Sequence, residues 1–464
     1  MLFSSINFIY YFLPALLLCY YISPKQFKNY ILLIFSLIFY SWGEPIYVFL
    51  MIFSAAFNYT MGNEILTYQQ SHKNPKPTLI FTIIINVLIL SFFKYYGFAT
   101  DIVNSVLGTD FHTTPLPLPI GISFYTFQAL SYIFDIYNRK VTKHNRFIEF
   151  ILYLSLFPQL IAGPIVQYKD VENQLRERTV NIQDFGYGAE RFIIGLSKKV
   201  LLANTLGSFH NMVVEMPESS QTVVAVWIGI ICFTFQIYFD FSGYSDMAIG
   251  LGRMFGFHFK ENFNYPYISK SVTEFWRRWH ISLGSWFREY LYIPMGGNRV
   301  PPLRHIFNLL VVWSLTGLWH GANYNFIIWG LYFGILLILE KYFLFKIQAK
   351  MSGKIRVCLT YIAVVISWVF FSSETASEAF SYLGKMFFTN DIPFFNADAR
   401  YIFASSILII IISAFCSTPL VSQAFEMLRT KKAGLANLIL VILMILSTAS
   451  LIYTSYNPFL YFRF

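Results

Sequence analysis

Twelve apolar runs separated by short loops decide what this 464-residue chain can fold into. They cover residues 8–22, 30–42, 47–61, 78–98, 118–137, 187–206, 223–238, 306–320, 326–339, 357–371, 402–416 and 435–453. A helix needs ~20 apolar residues to cross the hydrocarbon core of a bilayer, and fewer where flanking side chains snorkel or the bilayer thins. Composition points the same way. Charged residues make up 12% of the chain and hydrophobic ones 56%, whereas a soluble domain carries about 25% charged residues. A soluble fold of this size has no means of hiding so much apolar surface. The expectation is an all-α integral membrane protein, one polytopic domain over residues 1–464, with about 11 or 12 crossings.

The loops carry an orientation signal. Lys25 and Lys28, Lys73 and Lys76, Arg139 to Arg146, Arg253 to Arg304, Lys341 to Arg356, and Arg429 to Lys432 fall in alternate loops. The loop 101–117 has no Lys or Arg, and in 207–221 the only charges are Glu215 and Glu218. This is the positive-inside pattern for a multi-pass protein whose N-terminus lies outside. The net charge of +10 is thereby read as cytoplasmic loops, not as a nucleic-acid surface. Lys94, Lys198 and Lys199 fall inside expected spans and fit less well. The start, Met1 to Ser5, lacks a basic n-region, so the first run is expected to be retained as a span. The segment 148–166, interrupted by Pro158, Gly163 and Pro164, is expected to be broken or re-entrant. The longest outside loop is 373–399. Cys19, Cys232, Cys358 and Cys416 lie in apolar segments without metal or redox spacing.

Residues 233–323 depart from a generic helix bundle. Gln236, Asp240 and Gly243 share one helical face. Asp240 admits two readings: an acid facing a polar cavity, or a helix-end acid meeting the interface. The stretch 275–299 is too polar to span and too aromatic for a free loop, which suits a re-entrant element at the cytoplasmic face. Its Arg277, Arg278, Arg288 and Arg299 suit phosphate groups, and equally anionic lipid headgroups. His320 ends an apolar run among Gly317, Gly321 and Ala322, small residues that allow close helix approach or ligand access. A histidine there is either a general base or a structural group. No set of ligands with zinc-like spacing accompanies His280 and His320, so no metal is expected. His72, His112, His144, His210, His258 and His305 attract no special reading.

These residues carry a resemblance. Tyr238-Phe239-Asp240-Phe241-Ser242-Gly243-Tyr244-Ser245-Asp246, Trp276-Arg277-Arg278-Trp279-His280-Ile281-Ser282-Leu283, Phe287 to Pro294, Gly296-Gly297-Asn298-Arg299 and Gly317-Leu318-Trp319-His320-Gly321-Ala322 resemble the signature of the bacterial membrane-bound O-acyltransferases. Tyr40 to Pro45, Pro119 to Phe124 and Pro458 to Phe462 are similar to the branch that O-acetylates alginate and peptidoglycan. Glu289 departs from the signature, where that position is often Asp.

The resemblance implies a ring of tilted helices around a thin centre, with a funnel from outside and a tunnel from the cytoplasm. It implies that His320 is the catalytic histidine and His280 the second family histidine, near the tunnel mouth. It implies acyl transfer in a bacterial cytoplasmic membrane, with no bound cofactor and acetyl-CoA as donor. The acceptor is an extracytoplasmic polysaccharide, reached directly or through a serine-hydrolase-like partner. Gln236, Asp240 and Asn323 are candidate polar groups of the cavity, and Asn323, Trp319 or a backbone N–H are candidate oxyanion donors. D-alanyl transfer to teichoic acid is the alternative within the family. A transporter or flippase of a lipid-linked or acyl substrate is the alternative from another class. Against transport stand the arginine-rich aromatic segment and the lack of paired repeats.

Overall fold

A computed structural model describes residues 1–112, 116–143, 146–161, 163–387, 392–454, 456–457 and 459–460, with only the backbone of Phe345. His144, Pro458, Tyr461 and Phe462, singled out above, lie outside them. The described residues contain helices and turns and no strand. Each of the twelve apolar runs falls on a helix. Six helices are long and apolar enough to cross a membrane: Lys76–Leu107, Val223–Met254, Tyr324–Leu344, Gly353–Ser372, Ala397–Cys416 and Ala433–Tyr453. The others are shorter, interrupted or, like the 24-residue Tyr47–Gln70, less apolar. Lys28–Ser41, at 14 residues, rises only about 21 Å at 1.5 Å per residue.

The chain forms two compact units: Met1–Phe192 with Met247–Lys260, and Ile193–Asp246 with Glu261–Phe464. In the first, the rings of Phe3, Phe8, Phe12, Phe39 and Phe157 make one cluster, with centroids 5.0–6.1 Å apart along its chain of contacts. Tyr47–Gln70 and Lys76–Leu107 are joined by reciprocal amide bonds between Asn58 and Asn86, at 3.0 and 2.8 Å. Such a pair satisfies polar groups that lipid would leave unsolvated. The expected break in 148–166 is present. Phe147–Ser155 ends at Leu156 (ψ 110°), and the short turn Phe157–Leu160 carries Pro158. Gly121 faces that turn with φ +76°, and a Cβ there would meet the Leu160 carbonyl oxygen. Lys94, awkward inside a span, reaches Ser123 Oγ at 3.4 Å.

The second unit is built on residues 223–246, the greater part of the helix Val223–Met254. Of its most apolar window 83% is buried inside protein, against 17% for Ala433–Tyr453. The first is therefore an inner helix and the second shows most of its surface to lipid. Its first amides, Val223 N and Val224 N, donate to the carbonyls of Pro393 and Phe394, so the buried helix start leaves these groups paired. This helix runs 16 residues past the expected end of the span at 238. Asp240, Ser242 and Asp246 are thus mid-helix, not at its end. Ile182–Ser197 continues through a π-helical stretch, Lys198–Ala203, into Asn204–Val214. The loop 373–399 holds its own helix, Ala376–Met386, capped by Thr375.

Candidate active site

His320 is placed by two backbones that touch. Pro302 occupies the first turn of Pro302–His320, where its missing N–H costs nothing. The helix stops at His320 because Gly321 is extended (φ −165°, ψ 152°). The chain then turns into Tyr324–Leu339, which lies directly against it. A Cβ on Gly317 would collide with the Phe326 carbonyl oxygen, one on Gly330 with the Trp313 carbonyl oxygen, and one on Gly321 with the Phe326 ring. The small residues at 317 and 321 therefore serve close packing.

The imidazole of His320 is 3% exposed and walled by aromatic rings. Trp319, Trp329 and Phe371 lie with centroids at 4.9, 5.0 and 5.3 Å, each edge-on at 75–84°. Behind them, Trp329 and Trp368 stack at 6.1 Å, Trp368 meets Trp279 at 5.0 Å, and Trp276 meets Trp313 at 4.6 Å. Rings of this kind exclude water and leave few dipoles, so any polar group among them acts strongly. Trp329 is such a group. It is 1% exposed, and its Nε1–H has no hydrogen-bond partner among the described residues. Sequence reasoning missed it, because a tryptophan in an apolar span carries no signal beyond packing.

His280 comes from the non-spanning segment between Val223–Met254 and Pro302–His320. Ser271 caps Val272–Arg278 by accepting from Glu274 N at 3.0 Å, while Glu274 accepts from Lys270 N at 2.9 Å. That helix ends at Trp279, and His280 takes a left-handed conformation (φ +44°, ψ 53°) before Ile281–Phe287 begins. A non-glycine residue there costs about 1–3 kcal/mol and persists only where its surroundings hold it. Here Ile281 N donates to the Asn262 carbonyl at 3.0 Å. The Phe241 ring packs edge-on against His280 at 4.6 Å. Burial pushes the His280 pKa down to about 3, so the ring is neutral near pH 7. The Trp319 ring contacts both histidines, at 6.1 Å from His280 and 4.9 Å from His320.

The remaining sequence candidates divide. Asp240 pairs with Lys199 at 2.7 Å and accepts from Leu460 N at 2.9 Å. Lys199 also donates to Asn204 at 2.7 Å. Six residues further along the helix, Asp246 pairs with Lys198 at 2.6 Å. Two of the three lysines that fit a span poorly, Lys198 and Lys199, are thus the counter-charges of the two acids. Gln236 is 3% exposed, and its Oε1 has no hydrogen-bond partner among the described residues. Asn323 is half-buried and donates to the Glu374 carbonyl at 2.7 Å. Arg278 is held by Glu274 at 2.9 Å and by the Asn264 carbonyl at 3.1 Å. Arg277, Arg288 and Arg299 are exposed. Among the described residues no three His, Cys, Asp or Glu side chains are grouped as metal ligands would be.

The sequence profile of the MBOAT, membrane-bound O-acyltransferase family matches residues 37–381. The chain is 41% identical to the probable alginate O-acetylase AlgI of Pseudomonas aeruginosa, over 83% of this chain and 75% of that one. It is 36% identical to the protein of the same name from Pseudomonas putida, over the whole of both. It is 34% identical to the peptidoglycan O-acetyltransferase of Helicobacter pylori, over 84% of this chain and 81% of that one.

Proposed function

The chain belongs to the membrane-bound O-acyltransferase family, and on that footing we propose that it acetylates an extracytoplasmic polysaccharide from cytoplasmic acetyl-CoA across a bacterial cytoplasmic membrane. The observation that carries this reading is the pair of buried histidines contacting one indole: His280 and His320, both on Trp319. Its relatives' names give the acyl group and the class of acceptor.

The chemistry follows from these groups. Exposed Arg277, Arg288 and Arg299 hold the phosphates of the donor, and its pantetheine arm passes His280. The acceptor hydroxyl oxygen attacks the thioester carbonyl carbon while His320 takes its proton. The C–O bond forms and the C–S bond breaks. His320 returns the proton to the departing thiolate, leaving free CoA and an O-acetyl ester. The buried Trp329 N–H, which has no hydrogen-bond partner among the described residues, is the donor we assign to the charge that develops on the carbonyl oxygen. The accepting hydroxyl belongs to the sugar, or to a serine of an extracytoplasmic serine-hydrolase-like partner that passes the group on.

The test is transfer of label from [14C]acetyl-CoA by the protein in nanodiscs. Alginate or peptidoglycan oligosaccharides are the acceptors, and wild type is compared with His320→Ala of unchanged melting temperature. Loss of transfer in the folded variant is the expected result. Equal transfer by both removes His320 from the chemistry, and no transfer by wild type to any acceptor, with or without partner, overturns the acetyl reading.

A further inference from the structure

Asn262 is fully buried, and it belongs to no helix. It lies 18 residues before His280 and makes five hydrogen bonds around it. Its carbonyl oxygen O accepts from Ile281 N at 3.0 Å. Its side-chain Oδ1 accepts from Ser282 N at 3.1 Å and from Ser282 Oγ at 2.9 Å, and it meets His280 Nδ1 at 3.3 Å. Its Nδ2 donates to Ser245 Oγ at 3.2 Å. Ser245 stands one turn beyond Phe241, whose ring packs on the same imidazole.

These bonds fix which nitrogen of His280 carries the proton. The Ser282 amide can only donate, so the Asn262 atom facing it must be the oxygen. An amide oxygen can only accept, so His280 Nδ1 must donate to it. The Ser282 hydroxyl, 3.5 Å from Nδ1, already gives its proton to the same oxygen. In a neutral ring with Nδ1–H, the lone pair is on Nε2. The second partner of a working histidine commonly sets the tautomer in this way.

We propose that Asn262 is a positioning residue for acyl transfer: it holds His280 in its left-handed turn as the Nδ1–H tautomer, so that Nε2 presents an acceptor to the amide N–H groups of the donor's pantetheine arm. The role of Nε2 rests on the reading of His280 given above. The tautomer itself does not.

The experiment is ¹⁵N NMR of the full-length protein in proteoliposomes, labelled at the histidine imidazoles. The His280 signals are identified as those lost in His280→Gln. One-bond N–H coupling at Nδ1 in wild type, replaced in Asn262→Leu by a mixture of tautomers, is the expected result. Coupling at Nε2 in wild type, or an unchanged Nδ1–H in Asn262→Leu, overturns the proposal. Should Asn262→Leu not fold, Asn262→Asp carries the same question. A carboxylate on Nδ1–H stabilises the imidazolium and raises its pKa, so the base form is lost at higher pH. The acid limb of the rate profile then moves to higher pH, which a merely structural asparagine would not cause. An acid limb that stays in place counts against the proposal. In folded Asn262→Leu, kcat falls on the order of 10–100-fold, the usual effect of losing a group that orients a working histidine. Full acetyl transfer by His280→Gln would remove His280 from catalysis and leave the tautomer result standing.

Discussion

Lys199 and Asp240 form an ion pair of 2.7 Å in which neither side chain is more than 3% exposed. Its members hold three pieces of chain together: the π-helical stretch Lys198–Ala203, the inner helix Val223–Met254, and Leu460 near the C-terminus. Breaking a buried pair by removing one partner leaves an uncompensated charge and costs about 3–5 kcal/mol. Asp240→Leu and Lys199→Met should each lower the melting temperature in detergent by many degrees. The double variant Lys199→Met with Asp240→Leu should recover most of the loss, since nothing charged is left behind. Additive losses in the double variant would show that the two side chains do not act as a pair.

The glycines between Pro302–His320 and Tyr324–Leu339 give a second prediction. Gly317 and Gly330 each face a carbonyl oxygen of the opposite helix where a Cβ cannot fit. Backbone cannot swing aside as a side-chain tip can, so Gly317→Ala and Gly330→Ala must push the helices apart. Overpacking of this kind costs about 1–3 kcal/mol. Both variants should melt earlier than wild type, and Gly317→Ala should also lower kcat because His320 sits one turn away. Gly434→Ala, where nothing lies near the added carbon, is the control and should melt like wild type.

The arginines of the non-spanning segment should separate by their partners. Arg278 is tied to Glu274 and to a backbone carbonyl, so Arg278→Ala should act through the fold of its own helix. Arg277, Arg288 and Arg299 are exposed, and their alanine variants should raise KM for acetyl-CoA while kcat and melting temperature stay close to wild type. The effect should shrink with added salt, since exposed charges are screened beyond about 8 Å at physiological ionic strength. Unchanged KM in all three would assign these arginines to lipid headgroups.

Much of this is legible in the sequence, and what is not has a physical cause. The apolar runs, the break at Pro158 and the non-spanning segment 275–299 followed from hydropathy and backbone chemistry, which are local. Hydropathy ends the inner helix at 238, 16 residues short, because Asp240, Ser242 and Asp246 resemble a helix end reaching water. They stay inside because Lys199 and Lys198 neutralise the acids, and those lysines belong to another span. The pairing is tertiary, and each half looked like an anomaly alone. Asn262 was invisible for a similar reason. In Glu261-Asn262-Phe263-Asn264 it reads as an ordinary loop asparagine, and its partners lie 17 to 20 positions away.

The last prediction concerns Trp329. Its ring belongs to the aromatic wall, and its N–H is one of the wall's polar atoms with no hydrogen-bond partner among the described residues. Trp329→Phe keeps an aromatic ring on Phe333, Phe371 and His320 and removes that single donor. If the N–H meets the developing oxyanion, its loss is felt in the transition state and not in the ground state. Loss of one such donor costs ~10²–10³-fold in kcat. KM for acetyl-CoA should therefore hold while kcat falls by about that much, in a protein that still melts cooperatively. For His320→Gln, which removes the base, the expected fall is ~10²–10⁴-fold. The double variant should lose less than the product of the two, because a donor to the oxyanion matters little once no base generates it. A Trp329→Phe enzyme with wild-type kcat would return that indole to packing alone and leave the oxyanion to a backbone amide or to Trp319.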